Sequence, residues 1–237
     1  MSQNINNHNK NQTQYYKSAD QPTIQTTDSP YVQRHVDNLL EFGKISKQDK
    51  ILEVGAGVGR FSQLIHAKGF DITASDLSPE LIAKLNRNTT NIESFVGDIN
   101  NLPKQQNYKY DVLMGFFVLH HLSDLNESFA SLAKGLKPGG QILFCEPNAW
   151  YFPFYLQILL TPRMKWSVDK GVRNMRQKIF NQALQSNGFE NIEYQYYGVF
   201  PPGIYNTTWG SKVDHTLSRR ILPSRSKAFL MVKANLK

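Results

Sequence analysis

The chain of 237 residues is 40% hydrophobic and 12% aromatic, enough to bury an ordinary core without metal or disulfide staples. Its single cysteine, Cys145, excludes an internal disulfide framework and points to the cytoplasm, and the longest charge-free apolar run, 147–162, is broken by Pro153 and too short to span a bilayer, which excludes a membrane-spanning chain. The net charge of +8 is uneven: residues 1–148 carry 14 Lys and Arg against 15 Asp and Glu, whereas residues 149–237 carry 13 against 4, so an anionic partner should meet the last third.

Residues 1–28 are polar and aperiodic apart from Tyr15 and Tyr16, and they lack the apolar stretch of a signal peptide. The expectation is a disordered tail that forms a lid over substrate. From Ser29 onward, Pro30 at a helix-start position and Val32, Val36, Leu39 and Leu40 at helical spacing predict a helix over 31–43, capped by Gly43. Short apolar runs then alternate with amphipathic ones: strand 50–54, helix 59–67, strand 70–74, helix 79–87, strands 92–96 and 110–116, helix 124–135, strand 140–145. Such alternation is the pattern of a parallel sheet covered on both faces by helices. An aromatic stretch follows Asn148. The pattern resumes as helix 172–186 capped by Gly188, strand 189–196 and strand 227–233. Between those strands, Trp209, Val213, Leu217 and Ile221 recur every four residues and predict a helix over 207–222. One domain over 29–237 is expected, with insertions at about 149–171 and 200–224.

The chemistry-bearing segment begins at Ile51-Leu52-Glu53-Val54-Gly55-Ala56-Gly57-Val58-Gly59-Arg60, a strand entering a glycine-rich turn and then a helix. Such a turn lets a ligand approach backbone, and the free N–H groups of the helix start favour a polar or anionic group. Asp76 ends the next strand, where a carboxylate can accept both hydroxyls of a ribose. The dinucleotide fingerprint would want glycine at position 60, which is Arg; the third glycine is Gly59.

With these motifs the chain resembles the class I S-adenosylmethionine-dependent methyltransferases, in particular the small-molecule group that includes the ubiquinone and menaquinone biosynthesis methyltransferases. Besides the glycine turn and Asp76, the resemblance rests on Val96-Gly97-Asp98-Ile99, on Tyr110-Asp111-Val112 through Val118-Leu119-His120-His121-Leu122, and on Leu136-Lys137-Pro138-Gly139-Gly140. It covers roughly residues 48–148 and implies a Rossmann-like sheet of seven strands, mostly parallel, with the last antiparallel and a helical lid or insertions. It also implies S-adenosylmethionine as methyl donor, S-adenosylhomocysteine as product, and no metal. Gly55, Ala56 and Gly57 would then pass under the methionine part and Glu53 would sit near its ammonium. Asp76 would hold the ribose, Asp98 and the Ile99 backbone would read the adenine, and Leu77 would pack on its face, with Arg60 and Phe116 as further cofactor contacts. Asp111 reads as a turn or cap residue.

Methyl transfer from a sulfonium needs alignment more than acid–base help, so a general base is optional. For a hydroxyl acceptor the candidates are His120 and His121 after the fourth strand and Glu146 at the end of the fifth. Cys145 lacks the partners of an RNA cytosine methyltransferase nucleophile, and Met114-Gly115-Phe116-Phe117 does not match the Asn-Pro-Pro-Tyr-like segment of adenine and glutamine methyltransferases. On the substrate side stand Tyr15, Tyr16, Trp150 and Tyr155. The aromatic stretch bordered by Arg163, Lys165, Lys170, Arg173 and Arg176 suits a small or amphipathic lipid-like acceptor, or peripheral contact with an acidic membrane. The alternatives are a nucleic-acid methyltransferase using the basic third, for which no binding module is visible, and a non-catalytic binding module.

Overall fold

A computed structural model describes residues 28–102, 109–160 and 170–237. Seven strands, β1 (Lys50–Val54), β2 (Asp71–Asp76), β3 (Glu93–Val96), β4 (Tyr110–Phe116), β5 (Leu136–Pro147), β6 (Phe189–Tyr197) and β7 (Phe229–Leu236), form one sheet in the order β3-β2-β1-β4-β5-β7-β6. The pairings from β3 to β5 are parallel, and β7 runs antiparallel to β5 and β6, as the resemblance implies. Because side chains alternate along a strand, the apolar runs feed two cores. Leu52, Val54, Leu113 and Phe144 meet Phe129 and Phe180 on one face, while Ile51, Met114, Leu143 and Cys145 meet Val36, Leu39 and Ile65 on the other.

The flanking helices are α1 (Pro30–Gly43), α2 (Arg60–Ala67), α3 (Pro79–Asn88), α4 (Leu125–Gly135), α5 (Phe152–Leu160), α6 (Gln177–Ser186), α7 (Pro202–Tyr205) and α8 (Gly210–Thr216). Two of them, α3 and α4, are capped by side chains. Ser78 accepts from the Leu81 N–H at 3.3 Å, and Asp124 accepts from Asn126 and Glu127 at 2.8 and 3.1 Å. Asp111 also works structurally, holding the Lys50 N–H at 2.9 Å and Lys137 at 2.8 Å.

Four details differ from the sequence expectation. The left-handed residue ending α1 is Lys44 (φ 53°), not Gly43. Gly43 is glycine for packing, since a Cβ there would lie 2.5 Å from the Leu143 side chain. Arg176 is extended (φ −131°, ψ 141°), so the segment 172–186 divides into a short 3-10 turn, Lys170–Asn174, and α6. The segment 207–222 becomes helical only at Gly210, where a Cβ would collide with the Ile204 carbonyl oxygen, and it ends in a π turn at Leu217–Ile221. Finally, β5 starts at Leu136 because Leu136 pairs with Tyr110 across a bulge.

The strand order reverses between β1 and β4. In open parallel sheets the crevice outside the carboxyl ends of such a pair is the place for a ligand.

Candidate active site

The turn leaving β1 lies at that crevice, with Gly55, Gly57 and Gly59 at φ 71°, 58° and 81°. A Cβ on Gly55 would come within 2.3 Å of Val118, which closes the turn against the loop after β4. A Cβ on Gly57 would meet nothing within 4 Å, so this backbone faces open space. Glu53 is fully buried beneath the turn; the Ser62 hydroxyl of α2 donates to its Oε2, and its Oε1 has no partner. Burial pushes the Glu53 carboxyl up to about 7, against the Ser62 hydrogen bond that lowers it, and the nearby Asp76 charge adds to the rise.

Asp76 stands at the end of β2 and reaches across to the same turn. Its Oδ2 accepts the Gly57 N–H at 2.8 Å and its Oδ1 accepts the Ser78 N–H at 2.9 Å, and the Leu77 N–H also bonds the carboxylate, which keeps part of its acceptor capacity open. Desolvation raises its pKa, and these N–H groups oppose the rise. The Gly97 N–H donates to the Asp76 carbonyl at 2.9 Å, so the loops after β2 and β3 lie side by side. Asp98 is thereby brought beside Asp76; its Oδ1 caps the turn at Ile99–Asn101 through the Asn100 N–H at 2.9 Å.

The loop after β4 is held by Glu146. Oε1 accepts the Val118 and Leu119 N–H groups at 2.8 and 2.7 Å, and Oε2 meets His120 Nδ1 at 2.6 Å, the Glu146 side chain itself being fully buried. Phe117 in this loop adopts φ 56°, a strained conformation for a side-chain-bearing residue, and is retained by its N–H to the Cys145 carbonyl at 2.8 Å. The His120 and His121 rings lie 3.9 Å apart.

On the other side of the sheet α1 supplies His35, a residue the sequence reading passed over. Its Nδ1 lies 2.5 Å from the Tyr197 hydroxyl, which lies 3.1 Å from Cys145 Sγ, and its ring packs edge-on against Phe117. Burial holds the His35 pKa well below its ordinary value, with Arg34 and Arg60 adding to the fall. The same burial pushes the Cys145 thiol up, so it is a poor nucleophile. Arg34 forms a buried pair with Asp214 at 2.7 Å, and Asp214 accepts the Val199 and Phe200 N–H groups at 2.8 and 2.7 Å. The signal for His35 was its place in the stripe of Val32, Val36 and Leu39, where a polar residue needs a buried partner.

A family model described as a methyltransferase domain matches residues 28–194. The chain belongs to that methyltransferase family. It is similar to a ubiquinone biosynthesis O-methyltransferase of Idiomarina loihiensis, 30% identical over 145 residues that cover 60% of this chain and 57% of that protein. A demethylmenaquinone methyltransferase of Tropheryma whipplei is 26% identical over 47% of this chain and 48% of its own length. The matches thus span about half the length of these relatives. Among solved structures, a Thermotoga maritima S-adenosylmethionine-dependent methyltransferase aligns with a TM-score of 0.60 at 16% identity, covering 87% of this chain and 92% of that one. An Archaeoglobus fulgidus methyltransferase aligns equally well, at 16% identity over 86% and 94%. These two likenesses concern the fold.

Within this methyltransferase domain, Glu53, Gly55, Ala56, Gly57, Asp76, Leu77, Asp98 and Ile99 all lie on the turns at the ends of β1, β2 and β3. Arg60 opens α2, partly buried. Phe116 stands apart: its ring is stacked on Phe61 at 4.1 Å and belongs to the core beneath the crevice. Glu146 is fully buried with both carboxylate oxygens engaged by the Val118, Leu119 and His120 groups, and anchors the histidine loop. Trp150 follows β5 and Tyr155 lies in α5, where the Tyr155 hydroxyl donates to the Ala149 carbonyl at 2.8 Å. Tyr15 and Tyr16 lie outside the described residues.

Proposed function

We propose that the chain transfers the methyl group of S-adenosylmethionine to oxygen or carbon of a small or lipid-like acceptor. The carrying observation is the pairing of Asp76 with the glycine turn at the switch point: a carboxylate with lone pairs to spare beside a Gly57 backbone that faces open space. These residues fit the nucleotide. Asp76 accepts the ribose hydroxyls, Asp98 and the Ile99 backbone take the adenine edge, and Leu77 covers the ring. The Glu53 carboxylate, with its unpartnered Oε1, balances the ammonium, and Arg60 faces the carboxylate end. When bound, the sulfonium supplies a methyl group already activated for in-line displacement.

The chain's own contribution is then alignment and exclusion of water. Glu146 is a positioning residue that fixes the loop and the His120 ring. With Nδ1–H donated to Glu146, His120 keeps Nε2 as the atom that can take a proton from a hydroxyl acceptor, and His121 stands beside it as the second candidate. Tyr15, Tyr16, Trp150 and Tyr155 belong to the acceptor side, in the tail and the first of the insertions at about 149–171 and 200–224. The setting we favour is cytoplasmic, with the enzyme meeting its acceptor at an acidic membrane surface. No helix among the described residues is long and apolar enough to cross a membrane.

Asp76→Ala tests the reading. Losing a charged acceptor of two hydroxyls should weaken S-adenosylmethionine binding about ten- to a hundredfold in a calorimetric titration. Unchanged affinity would remove the ribose assignment.

A further inference from the structure

Among the described residues, the exposed large apolar side chains other than Val96 lie in the two segments proposed above as insertions. Phe152 and Leu159 of α5 are 70% and 76% exposed, and Trp209 and Ile221 of the second insertion are 55% and 64% exposed. At the root of α5, Trp150 is half exposed, and two guanidinium groups from separate segments stand against its ring: Arg176 Cζ at 4.7 Å and Arg225 Cζ at 4.8 Å. Neither arginine has a carboxylate within salt-bridge distance among the described residues. Arg176 Nε is buried and has no acceptor.

The platform is built. Asn148 is fully buried, accepts the Trp150 N–H at 3.1 Å, and donates to the Ser224 and Lys227 carbonyls at 3.0 and 2.7 Å, so one side chain ties the indole to the turn that carries Arg225. Two like charges on one indole repel each other. The ring quadrupole offsets part of that repulsion, and an anion between them would offset more.

Building on the membrane setting proposed above, we infer that Trp150, Arg176 and Arg225 form the headgroup anchor of a bilayer-docking surface. The anchor takes the phosphate of an acidic phospholipid while Phe152, Leu156 and Leu159 enter the acyl boundary. The occupant is a membrane rather than a soluble phosphate because the cationic pair adjoins exposed apolar side chains, and because the excess of basic residues lies in this third of the chain. A nucleic acid would leave α5 uncovered.

The test is co-sedimentation of the full chain with phosphatidylcholine vesicles, with and without phosphatidylglycerol. We expect retention on the mixed vesicles only, weakening with salt. Arg176→Gln and Arg225→Gln should each lower the partition coefficient about fivefold, by the usual contribution of a basic residue near an acidic surface. Phe152→Ser with Leu159→Ser should lower it at least tenfold. Equal retention on pure phosphatidylcholine, or wild-type partition of the double arginine variant, would overturn the proposal. So would release by inorganic phosphate at constant ionic strength, or a dimer in sedimentation velocity that disappears in the serine variant. S-adenosylmethionine titration of the same variants keeps the two readings separate: cofactor affinity should be unchanged in all of them. A wild-type chain that binds vesicles but no cofactor would count against the methyltransferase reading alone.

Discussion

Glu53 lies beneath the glycine turn with one carboxylate oxygen on the Ser62 hydroxyl and the other without a partner. Burial raises its pKa from 4.5 to about 7, so between those values the folded chain holds a proton that the unfolded chain has lost. The contribution of this group to stability therefore falls as pH rises through that window and stays low above it. Glu53→Gln removes the titration. The ligand-free variant should be more stable than the parent above pH 7, by on the order of 1–3 kcal/mol, and the gap should close toward about pH 5. Thermal melts at the two ends read this, and a gap independent of pH would contradict it. A cation beside Glu53 would expel the proton. Cofactor binding below pH 7 should accordingly release up to one proton, measurable as a buffer-dependent heat of binding, and the Gln variant should bind more weakly without releasing it.

Glu146 makes the opposite kind of prediction. Glu146→Ala removes the fully buried acceptor of two N–H groups and His120, which should cost about 3 kcal/mol in denaturant unfolding. Glu146→Gln keeps the shape and an acceptor oxygen for the two N–H groups. It should spare most of the stability yet change the pH profile of turnover, since it no longer holds the His120 Nδ1–H against a charge. Identical pH profiles would remove its positioning role.

At the scale of elements, the three glycines after β1 have different duties that substitution can separate. Gly57→Ala places a methyl group in open space at φ 58°. It should cost about 1–2 kcal/mol in strain but far more in cofactor affinity, because that methyl group occupies the ligand's side of the turn. Gly59→Ala would press on the Leu85 side chain at 2.8 Å and should act chiefly on stability. A Gly57→Ala protein with parental S-adenosylmethionine affinity would contradict the placement.

What the sequence displayed at this scale is what one strand or turn can show alone. The central strands were legible because both faces are buried, which makes each an unbroken apolar run, and the glycine turn and Asp76 were legible because each stands at the end of such a run, though the bond between them was not. The histidine loop was not. Glu146 reads as a free carboxylate at a strand end until the Val118 and Leu119 N–H groups arrive from β4, 28 and 27 residues away. His35 and Arg34 likewise gain their meaning from Tyr197 and Asp214, 162 and 180 residues distant. Phe116 was a cofactor contact by resemblance alone, and its ring stacks on Phe61. Gly43 was read as a cap when its missing Cβ instead admits Leu143 from β5.

Across the whole molecule, segments distant in sequence are tied together. The Arg34–Asp214 pair joins α1 to α8, and Asn148 joins the end of β5 to the turn before β7. Residues 1–148, with 14 Lys and Arg against 15 Asp and Glu, supply the turns after β1, β2 and β3, and the basic residues 149–237 supply α5 to α8. In the function proposed above, the cofactor lies with the first of these parts and the acceptor with the second.

The most direct measurement is calorimetric titration of the purified chain with S-adenosylmethionine, S-adenosylhomocysteine and, as a control, NAD. The account predicts that both sulfur nucleotides bind, that NAD does not, and that Asp76→Ala weakens the first two together. Binding of NAD alone, or failure of both sulfur nucleotides to bind the folded protein, would contradict it.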